Sequence, residues 1–216
     1  MTPVRDHLVW DWNGTLLNDL SLIIAATNAA FASVGGPVVT AEEHRVRFRR
    51  PVVDYYAEVL GRAVDEEAFG RLDRIFHDAY RAGLTTCELA EDAVTAMGDW
   101  SGSQSLLSMW FHDELVPAVR TYGLDGRFVR VDGWRAAVGG DRKAASLIRH
   151  LAHLDVDPGR VVLIGDSLDD AEAAEAVGAR AVLYTGGFTD AERLRASGHP
   201  VATTLTGAVH LAATLP

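Results

Sequence analysis

Short apolar runs alternate with amphipathic segments through the second half of the chain. The apolar runs predict strands at 105–107, 128–131, 160–164 and 181–184. The segments with helical periodicity predict helices at 111–122, 142–153, 168–177, 190–196 and 205–213. Because strands that alternate with helices are joined by right-handed crossovers, this half predicts a parallel sheet with helices on both faces.

The first half of the chain follows a different pattern. One short apolar run, 7–12, predicts the first strand of the same sheet, and apolar residues then recur at helical spacing as far as residue 89. The predicted fold class is therefore α/β, a doubly wound parallel sheet with an inserted α-helical cap. Residues 1–16 and 90–216 would form the core, and residues 17–89 would form the cap.

Composition agrees with a soluble globular protein. The chain has 216 residues, of which 48% are hydrophobic, and no apolar run reaches the roughly 18 residues of a membrane span. The N-terminus lacks the basic-then-apolar order of a secretion signal. A single cysteine, Cys87, suits a reducing compartment. We therefore expect a cytoplasmic protein without membrane association.

The net charge of the chain limits the kinds of molecule that it could bind. A net charge of −10 argues against nucleic-acid binding and against an anionic membrane surface, both of which draw on basic surfaces. A small phosphorylated molecule is still compatible, because one pocket of an acidic protein can be locally positive. Lys143 is the only lysine among 20 basic residues, which suggests a site that requires a compact ammonium. The sequence gives no indication of the oligomeric state.

Polar residues with complementary chemistry follow or end four of the predicted strands. In such sheets ligands bind beyond the carboxyl ends of the strands. Asp11 could act as a nucleophile toward phosphorus, and the hydroxyl of Ser108 could hold phosphate oxygens. Lys143 could neutralise both a carboxylate and a phosphoryl group. The acidic residues of the segment 165–170 (GDSLDD) favour a hard cation such as Mg²⁺.

These segments resemble the four motifs of the haloacid dehalogenase-like (HAD-like) hydrolases: 11–16 (DWNGTL), Ser108, Lys143 and 165–170. With the helical insertion, the chain is similar to the phosphoglycolate phosphatase-like subgroup. The resemblance implies an enzyme, a magnesium-dependent phosphatase of a small organic phosphate, in which Asp11 forms an aspartyl phosphate. It also implies a set of magnesium ligands: Asp11, the backbone carbonyl of Asn13, Asp166 and, through the metal's waters, Asp169 or Asp170. The alternative role of those last two carboxylates is to hold Lys143.

The substrate-binding candidates lie in two places. Ser108, with Gly14 and Thr15 in the turn after the nucleophile, would hold the phosphoryl group. Arg49 or Arg50 in the cap would reach the non-reacting end of the substrate. For these two arginines, which belong to a basic run in the cap, a solvated helix face is the alternative interpretation.

Asn13 departs from the family pattern. Most phosphatases that the chain resembles have an aspartate two residues after the nucleophile, where it acts as the general acid and base. An amide can form hydrogen bonds but cannot exchange a proton near neutral pH. General acid–base assistance is worth roughly 10²- to 10⁴-fold in rate. We therefore expect slow turnover, restriction to good leaving groups, or another proton source.

Several other functions can be weighed against the same residues. A phosphonate hydrolase needs a cap lysine, which this chain lacks, and a dehalogenase would not need the carboxylates of 165–170. A mutase normally keeps the aspartate that Asn13 replaces. The rival from another class is a catalytically weakened protein that binds a phosphorylated ligand in a regulatory role. Asn13 favours that rival, whereas Asp11, Lys143 and Asp166 favour an enzyme.

Overall fold

A parallel sheet of six strands forms the centre of the computed structural model, which describes residues 7–124, 126–135 and 143–215. The strands lie in the spatial order β5-β4-β1-β6-β7-β8. Their bounds are β1 His7–Trp10, β4 Gln104–Phe111, β5 Val131–Trp134, β6 Val161–Gly165, β7 Arg180–Tyr184 and β8 Val201–Ala202. The predicted α/β fold class is thus confirmed.

Helices cover both faces of this sheet. One face is covered by α5 Ala93–Asp99, α6 His112–Thr121 and α10 Leu205–Thr214. The other is covered by α7 Lys143–Leu154, α8 Leu168–Val177 and α9 Ala191–Ala196. Helix α5 was not predicted, because its short sequence lies between two polar segments and repeats the helical spacing over only two turns.

The alternation of side chains along each strand produces two separate cores. In β1, Leu8 and Trp10 pack on the first face, whereas Val9 packs on the second. In β6, Ile164 packs on the first face and Leu163 on the second. Successive residues of a strand point to opposite faces, so strands buried on both faces must be apolar at every position. This is why residues 161–164 of β6 are all apolar.

Two predictions about strands need correction. The strand predicted at 128–131 lies at Val131–Trp134, because the first residue of β5 to pair with β4 is Val131, opposite Leu106. Val129, inside the predicted run, is 64% exposed. The segment 17–89 is also not purely helical. It begins and ends in a two-stranded antiparallel ribbon, β2 Leu17–Asn18 with β3 Glu88–Leu89.

Four helices follow the first strand of this ribbon and build a small core of their own. They are α1 Leu20–Ala32, α2 Ala41–Arg47, α3 Val52–Leu60 and α4 Glu66–Gly83. Phe31, Tyr55, Tyr56 and Leu72 are among the buried residues of this core. The assignment of 17–89 to a separate cap domain stays a prediction. No helix of the described ranges is long and apolar enough to cross a membrane.

A buried histidine lies at the centre of the aromatic group in this helical segment. His44 stacks on Phe48 with ring centroids 4.7 Å apart, and its Nδ1 lies 2.9 Å from the Tyr55 hydroxyl. Its Nε2 has no hydrogen-bond partner among the described residues. Burial lowers the pKa of His44 to about 4. The ring is therefore neutral in the folded protein near neutral pH.

This neutral ring predicts a loss of stability in mild acid. Between pH 6.5 and about 4 the unfolded chain binds a proton at His44 that the folded protein does not bind. The contribution of His44 to the free energy of unfolding should therefore fall as the pH decreases through this range. In His44→Gln the slope should be shallower by up to about 1.4 kcal/mol per pH unit. Urea unfolding at several pH values measures this slope, and His210→Gln, at an exposed position, is the control. A slope in His44→Gln equal to that of the wild type would contradict the prediction.

Candidate active site

The strand order brings the predicted motifs together at one edge of the sheet. Strands β4, β1 and β6 are neighbours, so Ser108, Asp11 and Asp166 come to the same carboxyl-terminal edge. Asp11 and Asp166 directly follow their strands; β1 ends at Trp10, two residues before the end of the predicted run 7–12. Ser108 does not end its strand, since β4 continues to Phe111. It lies where the pairing of β4 with β5 is interrupted, between Leu107 and Phe111.

Lys143 connects two of the predicted carboxylates. It is the first residue of α7 and only 8% exposed. Its ammonium donates a hydrogen bond to Asp11 Oδ1 at 2.5 Å and forms an ion pair with Asp170. Of the two carboxylates that could hold Lys143, it is therefore Asp170 that does so. Asp169 instead lies 2.9 Å from the Nε of Arg50.

The electrostatics of the site reflect its burial. Burial raises the pKa of Asp11 to about 7, with Lys143 opposing this effect and Asp170 adding to it. Burial also raises the pKa of Asp166 well above its ordinary value, and the charges of Asp11 and Asp170 contribute. Burial alone would lower the pKa of Lys143, but the two carboxylates outweigh it and raise that pKa. The ammonium is therefore charged, whereas Asp11 and Asp166 bind protons more readily than exposed carboxyls do.

The carboxyl cluster fits a divalent cation. Asp11, Asp166 and Asp170 each offer an oxygen, and the three atoms lie within 4.8 Å of one another. All three residues are buried, and Lys143 supplies one positive charge against three carboxyl groups. Hard oxygen ligands with excess negative charge suit Mg²⁺. In Asp170, one oxygen meets the Lys143 ammonium and the other accepts hydrogen bonds from Ser167. The Asn13 carbonyl as a ligand stays a prediction.

Backbone and side-chain donors hold Asp166 in place. The Phe188 amide donates to Asp166 Oδ2 at 2.6 Å, and the Thr15 hydroxyl donates to Oδ1 at 3.4 Å. Gly14 and Gly187 allow this close approach, because a Cβ atom would lie 2.6 Å or 2.1 Å, respectively, from Asp166 Oδ2. Thr15 thus supports the carboxylate directly. The residues after β7 were missed by the sequence reasoning, although the pair of glycines after a strand is a usable signal.

Asn13 is held by polar side chains from three parts of the chain. Its amide nitrogen donates to Asp19 Oδ2 at 2.9 Å and to the Tyr80 hydroxyl at 2.8 Å. Its Oδ1 accepts a hydrogen bond from the Ser108 hydroxyl at 3.2 Å. The Gly14 amide donates to Asp19 Oδ1 at 2.8 Å and to the Leu17 carbonyl, so it is already engaged. Asp19 and Tyr80 were not among the predicted site residues.

The two cap arginines have different surroundings. Arg49 forms an ion pair with Glu58, inside the helical segment. Arg50 reaches Asp169 at the start of α8, beside the carboxyl cluster. Of the two, Arg50 therefore lies next to the predicted site, and neither role in substrate binding has been tested. Arg45, also in the basic run, donates to the Gly187 carbonyl at 2.8 Å and so connects the helical segment to the loop that holds Asp166.

Comparisons with known proteins agree with this geometry. A family model described as HAD-hydrolase-like matches residues 139–208. Phosphoglycolate phosphatase from Chromobacterium violaceum is 26% identical over 201 residues, covering 88% of this chain and 89% of that protein. A HAD-like family hydrolase from Streptococcus pneumoniae superposes with a TM-score of 0.82 at 19% identity, covering 98% of this chain and 99% of that chain. A family IA HAD hydrolase from Entamoeba histolytica superposes with a TM-score of 0.76 at 16% identity, covering 97% of this chain and 100% of that chain.

The solved structures define the class of fold, which is the Rossmann-like α/β fold of the HAD-like proteins. The family match covers the segment that carries Lys143, Asp166 and Asp170, and these three residues lie together at the sheet edge. The predicted resemblance to the HAD-like hydrolases is thus confirmed.

Gly187 provides a test of how tightly Asp166 is packed. A Cβ at position 187 would overlap Asp166, so Gly187→Ala should force the carboxylate or the Phe188 amide to move. We expect a loss of about 1–3 kcal/mol in the free energy of unfolding. Gly98→Ala is the matched control, because a Cβ there meets nothing within 4 Å and the residue lies in α5. That variant should be neutral or slightly more stable. Equal stabilities for the two variants in urea would contradict the packing argument.

Proposed function

We propose that this chain is a magnesium-dependent phosphatase that hydrolyses a small organic phosphate through an aspartyl phosphate on Asp11. The observation that carries the proposal is the contact of Lys143 with Asp11 and Asp170, beside Asp166. A nucleophile, a fixed cation and a cation-binding carboxylate cluster are the parts that phosphoryl transfer to a carboxylate needs. The relative from Chromobacterium violaceum is named a phosphoglycolate phosphatase, which supports the same reaction class.

The proposed cycle has two displacements at phosphorus. In the first, a carboxylate oxygen of Asp11 bonds to phosphorus, the bond to the substrate's leaving oxygen breaks, and that oxygen takes a proton from water. In the second, a water oxygen bonds to phosphorus, the bond to Asp11 breaks, and the attacking water loses a proton to solvent, which replaces the proton given to the leaving group; inorganic phosphate then leaves. The Lys143 ammonium favours the ionised nucleophile and balances charge on the phosphoryl oxygens. Mg²⁺, when held by Asp11 and Asp166, supplies further positive charge that keeps both carboxyls ionised.

Ser108 is the proposed donor to the phosphoryl group. Its hydroxyl donates to Asn13 Oδ1 and its oxygen accepts from the Trp110 amide at 3.0 Å, so the side chain is oriented before substrate binds. A rotation about one bond would redirect the hydroxyl to a phosphoryl oxygen. The Gly14 amide, by contrast, is already engaged, and we assign Gly14 to packing against Asp166.

The predicted activity depends on the carboxylate of Asp11. With Mg²⁺ and an aryl phosphate as the probe, the wild-type protein should release phosphate, whereas Asp11→Asn should fall to the background rate. Asp54→Asn, an exposed position in α3, is the matched control and should keep the wild-type rate. A wild-type rate equal to that of Asp11→Asn would overturn the phosphatase proposal. It would favour the second candidate, a protein that binds a phosphorylated ligand without turnover, for which Asn13 is the supporting observation.

The metal proposal can be tested without turnover. Mg²⁺ should bind the wild-type protein in a calorimetric titration, and Asp166→Asn should weaken the affinity about tenfold or more, each tenfold step being about 1.4 kcal/mol. Asp190→Asn, at the N-terminus of α9, serves as the control because its carboxylate caps a helix outside the cluster. Equal affinities for wild type and Asp166→Asn would show that the three-carboxylate cluster is not the cation site.

A further inference from the structure

The Asn13 side chain has one orientation that its neighbours allow. Its amide nitrogen donates to both Asp19 Oδ2 and the Tyr80 hydroxyl. The Tyr80 hydroxyl in turn donates to Asp19 Oδ2 at 2.6 Å, which closes a ring of three hydrogen bonds. The amide nitrogen is therefore turned toward Asp19 and Tyr80, and the Oδ1 atom accepts the Ser108 hydroxyl.

Reversal of the amide would be costly. A flipped Asn13 would place Oδ1 against the carboxylate oxygen of Asp19, where an N–H donor now fits, and would draw the Tyr80 hydroxyl away from Asp19 if that hydroxyl turned to donate to Oδ1. Asp19 is completely buried and Tyr80 is 1% exposed, so water would not replace the lost hydrogen bonds. A buried polar group left without a partner destabilises the fold by itself.

The partners of Asn13 are themselves fixed. Asp19 Oδ1 accepts the Gly14 amide at 2.8 Å, which ties the carboxylate to the turn after the nucleophile. The Tyr80 ring packs against Trp110 with centroids 4.6 Å apart and stacks on Phe76. Neither partner can therefore follow a rotating amide without breaking its own contacts.

We propose that Asp19 and Tyr80 are positioning residues that fix the orientation of the Asn13 side chain. Toward Ser108 and the reacting phosphoryl group, Asn13 then presents only its carbonyl oxygen, a hydrogen-bond acceptor. This inference rests on the proposed phosphatase function for its kinetic consequence, although the geometry itself does not. In this arrangement Asn13 offers its carbonyl oxygen to a hydroxyl or a water molecule and offers no hydrogen to the leaving oxygen. Substrates whose leaving group departs without protonation, such as aryl or acyl phosphates, therefore fit the site better than alkyl phosphates.

The orientation can be measured without any activity assay. The chain has three asparagines, so ¹⁵N-asparagine labelling gives three side-chain amide signals, and Asn13→Ala identifies the signal of Asn13. Asn28, whose amide is held by the Val39 backbone, and the exposed Asn18 serve as internal references. The Asn13 amide hydrogens should exchange with solvent at least tenfold more slowly than those of Asn18. In Tyr80→Phe the exchange at Asn13 should accelerate several-fold while exchange at Asn28 is unchanged.

Tyr55→Phe is the matched control, because it removes a buried hydroxyl that contacts His44 rather than Asn13. It should leave the Asn13 signal and its exchange as in wild type. If the Asn13 amide exchanges as fast as that of Asn18, or if Tyr80→Phe accelerates Asn28 to the same degree, the positioning role is overturned.

A double-mutant cycle tests the kinetic consequence. Tyr80→Phe should lower kcat for an aryl phosphate about tenfold with KM changed less than twofold, because the displaced acceptor acts on the reacting group. In an Asn13→Ala background the same substitution should change kcat less than twofold, because coupling is lost with the shared partner. An equal loss in both backgrounds would show that Tyr80 acts through something other than Asn13. If wild type has no turnover, the phosphatase proposal fails, and the exchange measurement still decides the positioning role.

Discussion

The contact between Lys143 and two buried carboxylates is the interaction on which the site depends. Three acidic side chains cannot be buried together at low cost, because each loses its hydration and repels the others. The Lys143 ammonium offsets part of that cost at Asp11 and Asp170, and the Phe188 amide does so at Asp166. The proposed divalent cation would offset the repulsion that remains between the carboxyl groups.

Sheet topology brings these groups together from distant parts of the chain. Asp11 and Lys143 are 132 positions apart, yet their side chains touch because parallel neighbours present their carboxyl ends at one edge. Asp170 serves two elements at once. It caps α8 through Ser167 and holds Lys143 at the start of α7, so the same carboxylate fixes a helix and the catalytic candidates.

The sequence predicted the site far better where residues adjoin strands than where they meet through tertiary packing. Asp11 and Asp166 directly follow buried strands, and their position on the chain fixes where they lie. Tyr80 belongs to an apolar stripe of α4, and periodicity describes its ring but says nothing about the partners of its hydroxyl. The start of β5 was also misplaced, since pairing with β4, rather than the apolar run that includes Val129, decides it.

The ribbon of Leu17–Asn18 with Glu88–Leu89 has a consequence for how such a chain can vary. Paired strands lie about 5 Å apart, so the helical segment leaves and re-enters the sheet at nearly one point. The two ends of the insertion therefore meet the rest of the protein as closely as the two ends of a short hairpin would, whatever the length of the insertion. Helices could be lengthened, removed or exchanged past that junction at a small entropic cost that grows only slowly with length. New ligand preferences can therefore arise in parts of the insertion that do not contact the site, whereas Tyr80 and Arg45 tie other parts of it to Asn13 and to the loop that holds Asp166.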